Sequence, residues 1–467
     1  MAKTFPSDLE IAHSVKPKPI GRLAHELSLK PKDLIPFGYH RAKVHYNAIE
    51  RSTRPEGQLI LVSAITPTPA GEGKTTTSIG LSQGLAKLGK SVSVALREPS
   101  MGPLFGMKGG ATGGGYSQVI PSEAINLSFN GDFAAVQGAH NLLAAALDNA
   151  VYQRELSSLD PRRIVFPRVM DMNDRSLRRT IIGLGGRTMG VPRESHFDIT
   201  AASEVMAILA LSKDYDDLRK RLSRILVGLT YDGKPITAES LGVAGAMTLI
   251  MREAIYPNLV QTLEGVPAFI HCGPFANIAH GSNSILATQM ALALSDYVVT
   301  EAGFGFDLGA EKFFDITCQT GGFAPELCVL VVTARALKMH GGVKKKHLDK
   351  ENIEAIIKGF DNLDKHIENI EKFQVPVVVA VNRFIGDSDK EIEAILAHCS
   401  RHEVPAAVSE VFERGGEGGK ELAQKCIDTM CDGCQLPLKP LYKYEWTPEK
   451  KIETIAREIY GAEHVDY

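Results

Sequence analysis

The chain has 467 residues and a formal net charge of −3, with 44% hydrophobic and 23% charged residues. That length exceeds one simple core and predicts two or three domains, and the near-neutral balance supplies no basic field for nucleic acid. The stretch Met1-Ala2-Lys3-Thr4-Phe5-Pro6 lacks an apolar signal core and no apolar run is long enough to span a bilayer, so no membrane association and a cytoplasmic location are expected.

The first strong element is the apolar run Leu59-Ile60-Leu61-Val62-Ser63-Ala64-Ile65, read as a buried strand. Thr68-Pro69-Ala70-Gly71-Glu72-Gly73-Lys74-Thr75 follows it, and Leu81, Leu85 and Leu88 then recur at helical spacing up to Gly89. Strand, glycine-bearing turn, Lys-Thr and helix form the context of a phosphate-binding loop. Backbone N–H groups at a helix start face the anion, Lys74 reaches the outer phosphates, and the Thr75 hydroxyl ligates Mg²⁺. One position departs from the usual pattern, because Thr68 stands where the first glycine is expected.

A second strand, Ser91-Val92-Ser93-Val94-Ala95-Leu96, ends in Arg97-Glu98-Pro99-Ser100. The glycine-dense segment 102–115 comes next; glycine lets backbone approach a ligand closely, and the Met, Phe, Lys and Tyr in and beside this segment argue against a plain linker. On spacing alone, Arg97 reads equally as a donor fork for a phosphate or carboxylate and as a surface ion pair with Glu98. Asp132, in Asn130-Gly131-Asp132-Phe133, is ambiguous by itself. Further strands are expected at 267–271, 297–300, 329–333 and 376–381, with helices at 137–150, 200–211, 283–294 and 350–359. This alternation predicts an α/β fold: a P-loop NTPase-like parallel sheet covered by helices, with ligands beyond the carboxyl ends of the strands. A charged helical segment from about Lys344 to Lys372 places a boundary near 365, giving a nucleotide-binding unit at 1–365 and a smaller α/β unit at 366–467.

The histidines in 271–342 show no HxxxH or HExxH spacing, so packed or capping roles are expected for them. No GxSxG elbow appears, which disfavours a serine hydrolase. The seven cysteines all lie in the second half and read as reduced thiols, Cys431 and Cys434 of a lone CxxC as surface thiols.

Two longer strings carry a resemblance. Gly106-Met107-Lys108-Gly109-Gly110-Ala111-Thr112-Gly113-Gly114-Gly115-Tyr116 and Val331-Val332-Thr333-Ala334-Arg335-Ala336-Leu337-Lys338-Met339-His340-Gly341-Gly342 resemble the two signatures of formate–tetrahydrofolate ligases. Thr68 in the phosphate loop is also that family's form, whereas Thr112 stands where the family usually has alanine. The resemblance implies ATP-dependent ligation of formate to N10 of tetrahydrofolate, polyglutamylated or not, through formyl phosphate, in a homotetramer. It implies that residues 68–75 bind ATP, that Lys74 and Arg97 are catalytic, and that Glu98 and Asp132 serve a monovalent cation, K⁺ or NH₄⁺. It also matches Phe384 and Phe412 to an aromatic pair that sandwiches the pterin, Phe412 replacing the family's usual tryptophan. Family members usually continue into a third domain, which this chain, ending at Tyr467, is expected to lack. Two rival readings are a shortened, non-catalytic nucleotide- or folate-binding relative and a P-loop NTPase that drives a protein partner.

Overall fold

The computed structural model describes residues 5–69, 71–106, 112–156, 158–186, 188–430 and 437–467. Ala70 of the phosphate loop, residues 107–111 of the first glycine signature, and Cys431 and Cys434 lie outside the described residues.

The strands the sequence predicts form one sheet. Nine of its twelve strands among the described residues are β1 (Ala42–Val44), β2 (Gln58–Ala64), β3 (Val92–Leu96), β4 (Asn258–Thr262), β5 (Pro267–Ile270), β6 (Tyr297–Glu301), β7 (Leu327–Val332), β8 (Val377–Asn382) and β9 (Ala406–Ser409). The order across the sheet is β1-β4-β5-β3-β6-β2-β7-β8-β9. From β5 to β9 every neighbouring pair is parallel, while β4 runs antiparallel to both β5 and β1. The central strands are apolar along nearly their whole length because helices cover both faces; every residue of β3, β7 and β8 is buried.

Helix α1 (Asp8–His13) opens the chain, with Ser7 and Glu10 forming a capping box. Helix α2 (Lys74–Lys87) follows β2 and is buried over most of its length, including polar Thr77, Ser78, Ser82 and Gln83. It can be buried so deeply because glycines let backbone dock on backbone: a Cβ on Gly80 would fall 2.2 Å from Cβ of Val411, and one on Gly419 would fall 2.6 Å from the Gly80 carbonyl. This contact seats the turn after β9 against the helix behind the phosphate loop.

Helix α3 (Asp132–Gln153) leads into an insertion between β3 and β4. Residues from 133–256 there gather into a second apolar cluster, joined by Cys272 and Leu286, with a three-stranded sheet built from Leu159–Ile164, Leu226–Thr230 and Pro235–Thr237. After β7 come α4 (Ala334–His340), α5 (Ile353–Lys372) and α6 (Asp389–Arg401). The boundary expected near residue 365 falls inside α5, and β8 and β9 beyond it continue the same sheet. Among the described residues, no helix is long and apolar enough to cross a membrane.

Candidate functional site

Parallel strands deliver all their exits to one edge of the sheet, and the residues singled out from the sequence sit on those exits. The loop after β2 is shaped by two left-handed glycines, Gly71 at φ +78° and Gly73 at φ +79°. Gly73 is the cap residue of α2, so the turn that brings Lys74 and Thr75 to the helix start needs a residue tolerant of positive φ. The loop is braced from inside by Glu72, whose side chain is buried. Its carboxylate accepts from the Thr68 N–H and from the Thr333 hydroxyl, each at 2.7 Å, and its carbonyl accepts from Asn382 Nδ2 at 2.9 Å. Thr66, at the exit of β2, is held by Asn362 and His366 of α5 and by His340 of α4. Burial holds His366 neutral, lowering its pKa to about 4.

Strand β6 lies between β3 and β2, so its last residue faces the exits of both. That residue is Glu301, 3% exposed. Its carboxylate accepts from the Thr75 hydroxyl at 2.7 Å and from Arg97 Nη2 at 3.4 Å. Arg97 therefore pairs with Glu301 rather than forming the surface ion pair with Glu98 that spacing alone also allowed. A further nitrogen of the guanidinium, Nε, is buried with no hydrogen-bond partner among the described residues. Lys74 acts electrostatically on Asp307, which lies in a π-helical turn, Phe306–Ala310; burial raises the Asp307 pKa and Lys74 opposes that rise.

Glu98 turns away from solvent toward Asp132, the first residue of α3, and both are buried. Asp132 accepts from Lys43 Nζ through one oxygen and from Asn258 Nδ2, at 2.7 Å, through the other. Lys43 is fully buried and also donates to the Tyr256 carbonyl at 3.1 Å. Glu98 Oε2 has no hydrogen-bond partner among the described residues. Burial first, and the neighbouring Asp132 carboxylate second, push the Glu98 pKa well above its ordinary value. Two carboxylates thus face one ammonium.

Phe384 and Phe412 follow the adjacent parallel strands β8 and β9. The Arg335 guanidinium lies over the Phe384 ring, 4.7 Å from its centroid. Phe5 stacks on Phe412, with centroids 5.4 Å apart and planes at 23°. The segment bearing Phe5 is tied to the glycine ribbon: Asp8 accepts from the Gly115 N–H at 2.7 Å, and the Asp8 carbonyl accepts from Gln118 Nε2 at 2.9 Å. Thr68, Glu72, Lys74, Thr75, Arg97, Phe384 and Phe412 all lie on strand exits at this one edge, whereas Glu98 and Asp132 form a buried cluster just beneath it. The expected packed roles hold for His271, which bonds Ser284 Oγ at 2.7 Å and the Ala254 carbonyl at 2.6 Å.

A sequence model described as formate–tetrahydrofolate ligase matches residues 6–467. The chain belongs to the formate–tetrahydrofolate ligase family. It is thereby placed among ATP-dependent ligases of one-carbon folate metabolism, whose substrates are ATP, with Mg²⁺, formate and tetrahydrofolate. Four residues of the ligase's edge stood out less in the sequence. Glu301 carried a signal, an acid closing the β-branched run Tyr297-Val298-Val299-Thr300, and Thr333 and Asn382 likewise sit where apolar runs end. Phe5 carried none, since its contact joins the two ends of the chain.

A cavity of about 650 Å³ opens at the opposite end of the sheet, lined among others by Gly57, Glu326 and Pro376, which precede β2, β7 and β8. It lies away from the strand exits.

Proposed function

We propose that the chain ligates formate to N10 of tetrahydrofolate in two steps through formyl phosphate. In the first, a formate oxygen attacks the γ-phosphorus of ATP and ADP leaves. In the second, the N10 amine attacks the formyl carbon, phosphate leaves and the amine proton is lost. The observation that carries this reading is the Glu301 bridge between Thr75 and Arg97. It joins the phosphate loop and a guanidinium with an unfilled donor in one crevice, as transfer of a phosphoryl group to a small carboxylate requires.

Residues 68–75 would cradle the triphosphate, with Lys74 on its outer phosphates. The hard oxygens of Thr75 and Glu301, 2.7 Å apart, fit Mg²⁺, which supplies charge neutralisation on the transferred group. Arg97 would neutralise charge that grows on the mixed anhydride, an interaction stronger in the transition state than in the ground state. The unpartnered Glu98 oxygen beside Asp132 fits a monovalent cation, K⁺ or NH₄⁺, because Lys43 alone leaves one carboxylate charge uncompensated when both are ionised. Glu98 and Asp132 would hold that ion. Phe384 and Phe412, from the 366–467 portion, would face the pterin. On family resemblance, the working form is a homotetramer in the cytoplasm.

The test is ADP formation measured with each substrate omitted in turn. The proposal requires turnover that depends on formate and tetrahydrofolate together. ADP release that ignores both would favour an NTPase driving a protein partner, and nucleotide binding without turnover would favour a non-catalytic relative.

A further inference from the structure

Remote from the strand exits, helices α5 and α6 bring three metal-ligating side chains together. His398 and His402 are four residues apart at the end of α6, which places them on one face of the helix. Asp364 of the neighbouring α5 faces them. One donor atom from each of the three lies within 4.8 Å of the others. His398 Nε2 and Asp364 Oδ1 are 2.7 Å apart. The His398 ring stacks on Phe360, with centroids 3.8 Å apart and planes at 14°, so its plane is fixed by packing. The His402 ring lies 4.5 Å from it.

We propose that Asp364, His398 and His402 form a binding site for a divalent first-row transition ion such as Zn²⁺, Co²⁺ or Ni²⁺. Two imidazoles and a carboxylate are a donor set those ions take, with bonds of about 2.0–2.2 Å. Donors that share such an ion sit roughly 3 Å apart, which the Asp364–His398 pair already satisfies. The remaining adjustment falls on His402, which is exposed. His398 is nearly buried while the Asp364 carboxylate is 43% exposed, so the site is anchored on one side and open to water on the other. The ion takes the place of the proton between His398 Nε2 and Asp364 Oδ1, and it cross-links α5 to α6. Through α5 the link reaches Asn362 and His366, which hold Thr66 at the exit of β2.

The chain without a polyhistidine tag, stripped with a chelator, is titrated with Co²⁺ and Ni²⁺ while calorimetry, the visible absorption of Co²⁺ and the thermal midpoint are followed. One saturable equivalent is expected, with a Co²⁺ spectrum of nitrogen and oxygen ligation and a rise in midpoint as the metal stabilises the folded form. His402→Ala, at an exposed position, should fold normally, weaken binding at least tenfold and abolish the rise; Asp364→Asn should weaken it as well. Absence of saturable binding up to millimolar metal would overturn the proposal. So would binding that His402→Ala leaves unchanged, including any whose Co²⁺ spectrum shows thiolate ligation.

Discussion

Gly71 and Gly73 share the left-handed region, at φ +78° and +79°, yet their surroundings differ. A Cβ on Gly71 meets nothing within 4 Å, so Gly71→Ala brings only conformational strain, about 1–2 kcal/mol. A Cβ on Gly73 would lie 2.4 Å from Asn382 Nδ2. Gly73→Ala therefore adds displacement of a buried amide and loss of its 2.9 Å bond to the Glu72 carbonyl, a further 1–3 kcal/mol or so. With residues 68–75 as the proposed ATP cradle, the nucleotide selects the undistorted loop, so its apparent affinity falls with the fraction of molecules that keep it. Gly71→Ala should weaken ATP binding about 5- to 30-fold, and Gly73→Ala about 5- to 150-fold more than that. Asn382→Ala removes both the bond and the obstacle. In that background Gly73→Ala should cost no more than Gly71→Ala, giving a coupling of about 1–3 kcal/mol in the double-mutant cycle. Equilibrium nucleotide titration measures the affinities, and denaturant unfolding shows whether the fold survives. Equal effects of the two single glycine substitutions, or strict additivity of Gly73→Ala with Asn382→Ala, would refute the reasoning.

Arg97→Ala should lower kcat roughly 10²- to 10³-fold, the scale of losing one preorganised donor to a developing charge, with ATP affinity within about threefold of wild type; near-normal turnover would remove Arg97 from the chemistry. Phe5→Ala opens a face of Phe412 that Phe5 now covers, so KM for tetrahydrofolate should fall about two- to tenfold, the worth of one displaced ring pair, and an unchanged or raised KM would show that the pterin does not compete with Phe5. Glu311→Gln tests a buried acid whose pKa is raised by burial and then by the nearby Asp315 carboxylate. In the unfolded chain Glu311 ionises above about pH 4.5, but in the fold its pKa is pushed up to about 9, so wild-type stability declines as pH rises between those values. The variant lacks this decline, so its stability relative to wild type should increase from pH 5 to pH 9 in denaturant unfolding, and a constant difference would contradict the assignment.

The sheet was legible because its strands are buried on both faces, which leaves continuous apolar runs in the sequence. The turn after β2 was legible because its pattern is local: Gly71, Gly73, Lys74 and Thr75 fall within one turn between a strand and a helix. Glu301 was harder to read, since its role depends on β6 lying between β2 and β3, and strand order is a property of the whole chain. The boundary expected near residue 365 rested on charge alone. A charged helix looks like a boundary in one dimension, whereas α5 shows its charges to solvent and packs Ile356, Phe360, Leu363 and Ile370 into the core shared with β8. The insertion at 133–256 carries most of the second apolar cluster, but its short strands give little periodicity. The spacing of His398 and His402 is visible in the sequence, while the Asp364 that completes their cluster comes from another helix.

Buried braces connect the loop after β2 to the supports of the Phe384 ring. Glu72 binds Thr333 with its carboxylate and Asn382 with its carbonyl. Thr333 is two residues before Arg335, whose guanidinium covers Phe384, and Asn382 is two residues before Phe384 itself. Any shift of the phosphate loop that moves Glu72 is therefore felt at both supports of the Phe384 ring. Each connection is a single hydrogen bond between nearly buried partners, where little side-chain freedom is left to absorb displacement. A nucleotide that settles the loop would settle the Phe384 ring as well, and by linkage a ligand that needs that ring ordered would tighten nucleotide binding by the same factor.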